Sequence, residues 1–372
     1  MTLSAVGAAW PAAVLGMMAF GASAGEHDAV SRLPFYSVHN LVSDGAVPAD
    51  HIDPNLKNPW GLVFGPTSPS WIANNGTGTS TLYDGSGAMI PLVVKIPPGS
   101  REPGNPTGIV FNATDDFKVS EGALSGASVF IFAGENGTLN GWAPNVNSTS
   151  AVVAYDGGPA GAVYRGLALA SNGTANFIYA TNFHGNSVDV FDKNFKKVAV
   201  RGGFKDDDIP PGFAPFGIQN IQGDLFVTYA KQNAARHDNL EGSGLGFVDV
   251  FDADGQLLRR VASRGSLNAP WAIALAPSDF GRFSNRLLVG NFGDGTINAF
   301  DYATGEHVGH LSDPEGRPVA IDGLWGLSFG NGALSQSTAS LFFAAGTNHE
   351  QDGTYGRIDP ARGDDHDGHG DE

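Results

Sequence analysis

The 372-residue chain contains no cysteine, which excludes disulfides, thiolate metal sites and cysteine nucleophiles together. Positive charge is scarce: 21 Lys and Arg stand against 38 Asp and Glu, a formal net charge of −17. That balance repels phosphate backbones and leaves no basic stripe, so nucleic acid is not an expected partner. The same excess opposes docking on anionic membranes and raises the local concentration of cations. Beyond residue 24 no segment is long and apolar enough to span a bilayer. Absent too are a Gly-x-Ser-x-Gly elbow and an HExxH, and the Gly-rich stretches fall in hairpins, so no phosphate loop is expected.

Residues 1–24 read as a signal peptide, because Ala5–Ala24 is an uncharged apolar run ending in Ala22-Ser23-Ala24. No Lys or Arg precedes the run, and Pro11 interrupts it; an uncleaved membrane anchor is the alternative. A secreted or periplasmic protein with no integral membrane segment after cleavage is expected. Residues 361–372, with five acids and two His in the last ten, read as a solvated, disordered tail that at most binds divalent metal loosely.

What the chain has in quantity is turn formers, 52 Gly and 22 Pro, about one residue in five, which argues against long helices. It also repeats itself. Trp60-Gly61-Leu62, Thr107-Gly108-Ile109, Arg165-Gly166-Leu167, Phe216-Gly217-Ile218, Trp271-Ala272-Ile273 and Trp325-Gly326-Leu327 recur at intervals of 47, 58, 51, 55 and 54 residues. Each is followed by an apolar run ending in polar residues, such as Phe177–Asn182. A third run follows, and in four copies it closes with Phe-Asp or Tyr-Asp, as in Val188-Asp189-Val190-Phe191-Asp192. More polar fourth runs lie at Pro91–Ile96, Ala151–Tyr155, Lys197–Arg201, Leu257–Ala262 and His307–Leu311. Five Asn-Gly and eight Asp-Gly steps supply the tight turns between them. Four strands per repeat and six repeats predict an all-β, six-bladed β-propeller over residues 33–360, built of four-stranded antiparallel blades. The sixth copy lacks a fourth strand and Phe35–Leu41 has no repeat of its own, so this N-terminal strand is expected to close the ring.

The Trp-Gly-Leu, aliphatic-Asn and Val-Asp-Val-Phe-Asp rhythm resembles NHL-repeat and gluconolactonase-like six-bladed propellers, and is most similar to a poorly characterised family of secreted bacterial propellers. The resemblance to gluconolactonase-like enzymes implies a central Ca²⁺ and lactonase-type chemistry. Those enzymes carry a Glu just before a first-strand Trp, where this chain has Asn58-Pro59 and Ala269-Pro270.

In such a blade the start of the first strand and the end of the second emerge on one face, so polar residues there converge at the channel mouth. Glu135, Asn182, Asn291 and Asn348 offer oxygen ligands for a hard cation such as Ca²⁺. His184, or His349 with Glu350 beside it, can serve as a general base, and Arg165 with Tyr164 can hold an anionic group. Zinc or copper at His184 and His349 lacks any short ligand spacing. Asn74 and Asn136 are further polar contacts, although Asn at a strand end also bonds its own turn. The five Asn-x-Ser/Thr sequons, at Asn75, Asn112, Asn136, Asn147 and Asn172, read as turns. A long insertion, Lys231–Gly244, should rise from the same face as a lid, a recognition loop or a tolerated surface loop, with Lys231, Arg236 and His237 as cationic contacts. Trp60, Trp271 and Trp325 are expected to pack where blades meet. Two functions remain open: a secreted propeller binding a small ligand, glycan or protein partner on its polar face, and a Ca-type, metal-dependent hydrolase or lyase.

Overall fold

The computed structural model describes residues 33–362. The expected signal peptide lies outside the described residues, as does the tail beyond residue 362; Ala361 is the last residue of a strand, Thr354–Ala361. The described chain is all-β: six antiparallel sheets, each the blade of a propeller. The first blade orders Pro59–Phe64, Ser70–Asn74, Thr79–Tyr83 and Val94–Lys95 from the channel outward. The inner strands of the other five are Pro106–Phe111, Tyr164–Ser171, Phe213–Ile221, Pro270–Leu275 and Leu324–Phe329, and successive inner strands touch in a closed circuit. No helix among the described residues is long and apolar enough to cross a membrane.

The repeated Gly has a packing reason. A Cβ on Gly217 would lie 1.9 Å from the Trp271 carbonyl oxygen, and one on Gly108 2.4 Å from the Leu167 nitrogen. Neighbouring inner strands therefore approach too closely for a larger residue. The aromatic-Gly steps also coincide with irregularities in the ladder, as between Pro59 and Leu62, Pro215 and Ile218, and Leu324 and Gly326. Such bulges turn the preceding side chain into the channel.

The expected closure is observed. Phe35–Ser43 pairs antiparallel with Thr354–Ala361 as the outer strand of the sixth blade, and His51–Ile52 adds a short parallel strand beyond it. The outer strands of the second and fourth blades, Val152–Asp156 and Leu257–Ser263, are about as long as expected, whereas Val94–Lys95, Lys197–Val198 and His307–His310 are shorter; Pro91, Pro97 and Pro98 flank Val94–Lys95 and supply no ladder donors. One hairpin, Lys118–Glu121 with Leu124–Ala127, was not anticipated; inserted in the second blade, it accounts for the longest repeat interval.

Candidate functional site

First-strand starts meet second-strand ends on one face, with Pro59 opposite Asn74, Tyr164 opposite Asn182 and Pro270 opposite Asn291. Just inside that face the channel is blocked by aromatic rings. Trp60 stacks on Trp325 with centroids 3.5 Å apart, Trp271 meets both edge-on, and Phe292 stacks on Trp325 at 4.0 Å. The tryptophans thus pack against one another across the channel rather than separately between blade pairs. Trp271 stays partly exposed, and Trp325 also lines the cavity above. With Phe183 and Phe216 they form a buried cluster that closes the channel from below.

Arg165 lies on this plug, its guanidinium carbon 5.1 Å from the Trp60 ring and 5.8 Å from that of Phe183. Only 3% of its side chain is exposed, and burial of a guanidinium demands counter-charges. Glu135 supplies one at 2.7 Å and Asp238 another at 2.8 Å, while the His237 carbonyl oxygen accepts a further bond. Asp238 belongs to the long insertion, so the arginine that replaces an aromatic residue in the third repeat is what holds that loop over the channel. The loop is also tied to the fifth blade, where Gly242 N–H donates to Asn268 Oδ1 at 2.7 Å.

Hydrogen bonds continue round the mouth. Asn75 donates to Glu135 Oε2 at 2.7 Å, and Asn58 donates to Asn75 Oδ1 at 3.4 Å and to Glu350 Oε1 at 3.2 Å. Asn58 Oδ1 in turn accepts from the Trp60 indole at 3.0 Å, which links the polar ring to the plug. His237 Nδ1 lies 2.9 Å from Asp238 Oδ1; this contact raises the His237 pKa above its usual range and, with Arg165, holds Asp238 down at about 2. Burial pushes the Glu350 carboxyl up, and the Glu135 charge adds to the shift against the Asn58 amide. Glu350 sits at the end of three consecutive left-handed residues, with φ of 54°, 54° and 64° at Asn348, His349 and Glu350. Each such residue costs about 1–2 kcal/mol, and strain of this kind is characteristic of functional loops.

A cavity of about 520 Å³ opens above the plug. Phe292 and Trp325 form its floor; Asp238, Glu241, Asp294, Asp322 and Glu350 line it with carboxylates, and Arg165 is the one Lys or Arg among its lining residues. The Arg165 charge is already met by Glu135 and Asp238, so the cavity carries a marked negative excess.

Of the residues singled out in the sequence, Arg165, His349 and Glu350 line this cavity, and Glu135 braces it from beneath. His184 is exposed and does not line it. Tyr164 is buried with its hydroxyl on Asp189 at 3.0 Å, away from any ligand role. Asn136 Oδ1 accepts from Thr138, and the buried Asn74 donates to Thr81. Lys231 turns to the Pro211 carbonyl oxygen and the Phe213 ring, and Arg236 is exposed on the loop. The sequon reading holds at Asn112, Asn136, Asn147 and Asn172, whose side chains bond the Thr two residues on. Asn75 instead serves Glu135.

Three of the four residues expected to hold a cation make local hydrogen bonds. Asn182 Oδ1 accepts from the backbone of Val163 and Gly185, Asn291 Oδ1 from that of Asn268, and Asn348 donates to Asp352. Among the described residues Glu135, His237 and Asp238 bring three ligand atoms within 4.8 Å of one another, but the Arg165 guanidinium contacts both carboxylates. Its fixed positive charge takes the place a divalent ion would need, so the donor set does not suit Ca²⁺. Asp238 and Phe292 were missed in the sequence: the first lies in the insertion, whose length was the available signal, and the second follows a conventional strand end.

No family model matches the chain. Two uncharacterised proteins of Acanthamoeba polyphaga mimivirus are similar to it, at 35% identity over 330 residues and 34% over 331; each alignment covers 87% of this chain, and 80% and 85% of theirs. Among solved structures, a catalytically inactive virginiamycin B lyase from Staphylococcus aureus with quinupristin gives a TM-score of 0.51 at 12% identity, covering 87% of this chain and 98% of that one. A glucose dehydrogenase also gives 0.51 at 12% identity, covering 86% of this chain and 99% of the other. At such identities the likeness is one of fold.

Proposed function

The chain belongs to the same family as these two mimivirus proteins, and from that premise we propose that it is a binding propeller whose channel-mouth cavity takes a small, positively charged, hydrophilic molecule. The observation that carries this reading is the cavity of about 520 Å³, floored by Trp325 and Phe292 and lined by five carboxyl groups, of which the one lining cation, Arg165, pairs with Asp238 alone. Aromatic faces and carboxylates together suit an ammonium group, through cation–π attraction and charge-assisted hydrogen bonds. The volume falls within the usual range for small-ligand sites. The apolar run Ala5–Ala24 supports an exported protein meeting its ligand outside the cytoplasm.

Titration calorimetry with putrescine, against the neutral isostere 1,4-butanediol, tests the reading. Saturable binding of the diamine alone, lost in Glu350→Gln and insensitive to chelator, is the expected result. Equal behaviour of the two compounds, or binding that needs added Ca²⁺, contradicts it. A second reading, hydrolase or lyase chemistry in the same cavity, is favoured by Glu350, whose raised pKa and strained backbone suit an acid–base group. Turnover in an ester and lactone screen, abolished in Glu350→Gln, would distinguish it.

A further inference from the structure

A second cavity, of about 390 Å³, opens at the junction of the third and fourth blades and shares no lining residue with the channel mouth. Much of its wall comes from the segment that joins those blades, with Phe204, Ile209, Pro210 and Phe213 as apolar lining. Tyr229 and Asp206 also line it, and Arg260 ties Asp206 to Asp249, with Nε 2.8 Å from Asp249 Oδ1.

This polar end is left incomplete. The Tyr229 hydroxyl and Asp249 Oδ2 are buried and have no hydrogen-bond partner among the described residues, although Tyr229 is only 4% exposed and Asp249 not at all. Buried groups of this kind are costly, and folding alone gives no reason to keep both. Two carboxyl groups, those of Asp206 and Asp249, share the one Arg260 guanidinium. Burial pushes the Asp249 carboxyl up to about 7 despite Arg260, and burial with the nearby Asp249 charge pushes the Tyr229 hydroxyl well up. The Phe213 ring already attracts one cation, with Lys231 Nζ 4.9 Å from its centroid.

We propose that this cavity is a binding site for a small molecule made of an apolar ring and a primary ammonium group. The ring packs against Phe204 and Phe213, and the ammonium donates to the Tyr229 hydroxyl and to the Asp206 carboxylate, both of which line the cavity. One ammonium adds a second cation beside two carboxyl groups that share a single guanidinium, and its donors suit the unpartnered Tyr229 hydroxyl.

The probe is 2-phenylethylamine, titrated into the full chain by calorimetry. Saturable binding is expected, weakened about tenfold or more in Tyr229→Phe and in Asp206→Asn, since each removes a charge-assisted contact. Tyr229→Phe deletes an unpartnered buried hydroxyl, so its melting temperature should equal or exceed that of the parent, which separates lost binding from lost folding. Glu350→Gln should leave this isotherm unchanged while abolishing putrescine binding, so the two sites stand or fall separately. No saturable uptake, wild-type affinity in both side-cavity variants, or loss of phenylethylamine binding in Glu350→Gln overturns the proposal.

Discussion

Arg165 makes a buried counter-charge the hinge of the channel mouth. Replacing it with Ala leaves Glu135, itself only 17% exposed, without its cation and removes a guanidinium from the faces of Trp60 and Phe183. Breaking such a pair from one side costs about 3 kcal/mol or more; urea denaturation should show that loss. Arg165→Lys, which cannot span two carboxylates with a fork, should fall between Ala and the parent. Trp60 gives a second test, since it is fully buried and packs on Trp325. Trp60→Ala should cost about 3–5 kcal/mol, read from the same denaturation curves, and should open the channel floor. Arg165 was legible in the sequence because it broke a repeat. Its partners were less so: Glu135 stood out as a rare acid at a strand end, whereas Asp238 lies 73 residues away in the chain and becomes a partner only when the third and fourth blades meet.

The insertion Lys231–Gly244 behaves as a latched element. Asn239–Leu240 pairs with Lys231–Gln232, Gly242 bonds Asn268, and Asp238 with the His237 carbonyl clasps Arg165. The His237–Asp238 contact gives this clasp a pH dependence, shaped by Arg165 and Glu135 beside it. Asp238 is depressed from 3.8 to about 2, so its contribution is complete above 3.8 and lost as pH falls through about 2. His237 is raised above 6.5, so its contribution is complete below 6.5 and lost as pH rises through the raised value. Amide exchange in residues 231–244, corrected for its intrinsic pH dependence, should therefore show most protection between pH 3.8 and 6.5 and less on either side. A flat profile would show that the clasp does not hold the loop. The strands themselves were readable because apolar alternation and Asn-Gly or Asp-Gly turns are local signals. The closing Phe-Asp of a repeat has a local meaning too: Asp192 and Asp252 each cap their turn by accepting two backbone N–H groups. The aromatic plug was not readable, because which face of a bulged inner strand points into the channel depends on register with the neighbouring strand.

At the scale of the ring, stability depends on one non-local pairing. Every blade but the sixth is built from a continuous stretch of chain, whereas the sixth takes Phe35–Ser43 from the opposite end to cover Thr354–Ala361. The strand brings Tyr36, Leu41 and Val42 into the core, and the Tyr36 hydroxyl both donates to the Phe280 carbonyl and accepts from Phe283 N–H, which binds the sixth blade to the fifth. Burying three such side chains is worth roughly 5–9 kcal/mol, comparable with the whole stability of an ordinary domain. The outer edge of the added strand is then shielded in part by His51–Ile52 and by the His39–Asp50 contact. A chain beginning at Asp44 would lose that burial and expose Thr354–Ala361 as an unpaired edge. It should melt far below the parent and associate in a concentration-dependent way, followed by light scattering beside a thermal scan. A peptide spanning residues 33–43, added in trans, should restore the monomer and part of the melting temperature, because it resupplies both the ladder and Tyr36. If the shortened chain melts like the parent without the peptide, closure by the N-terminal strand is not what holds the ring together.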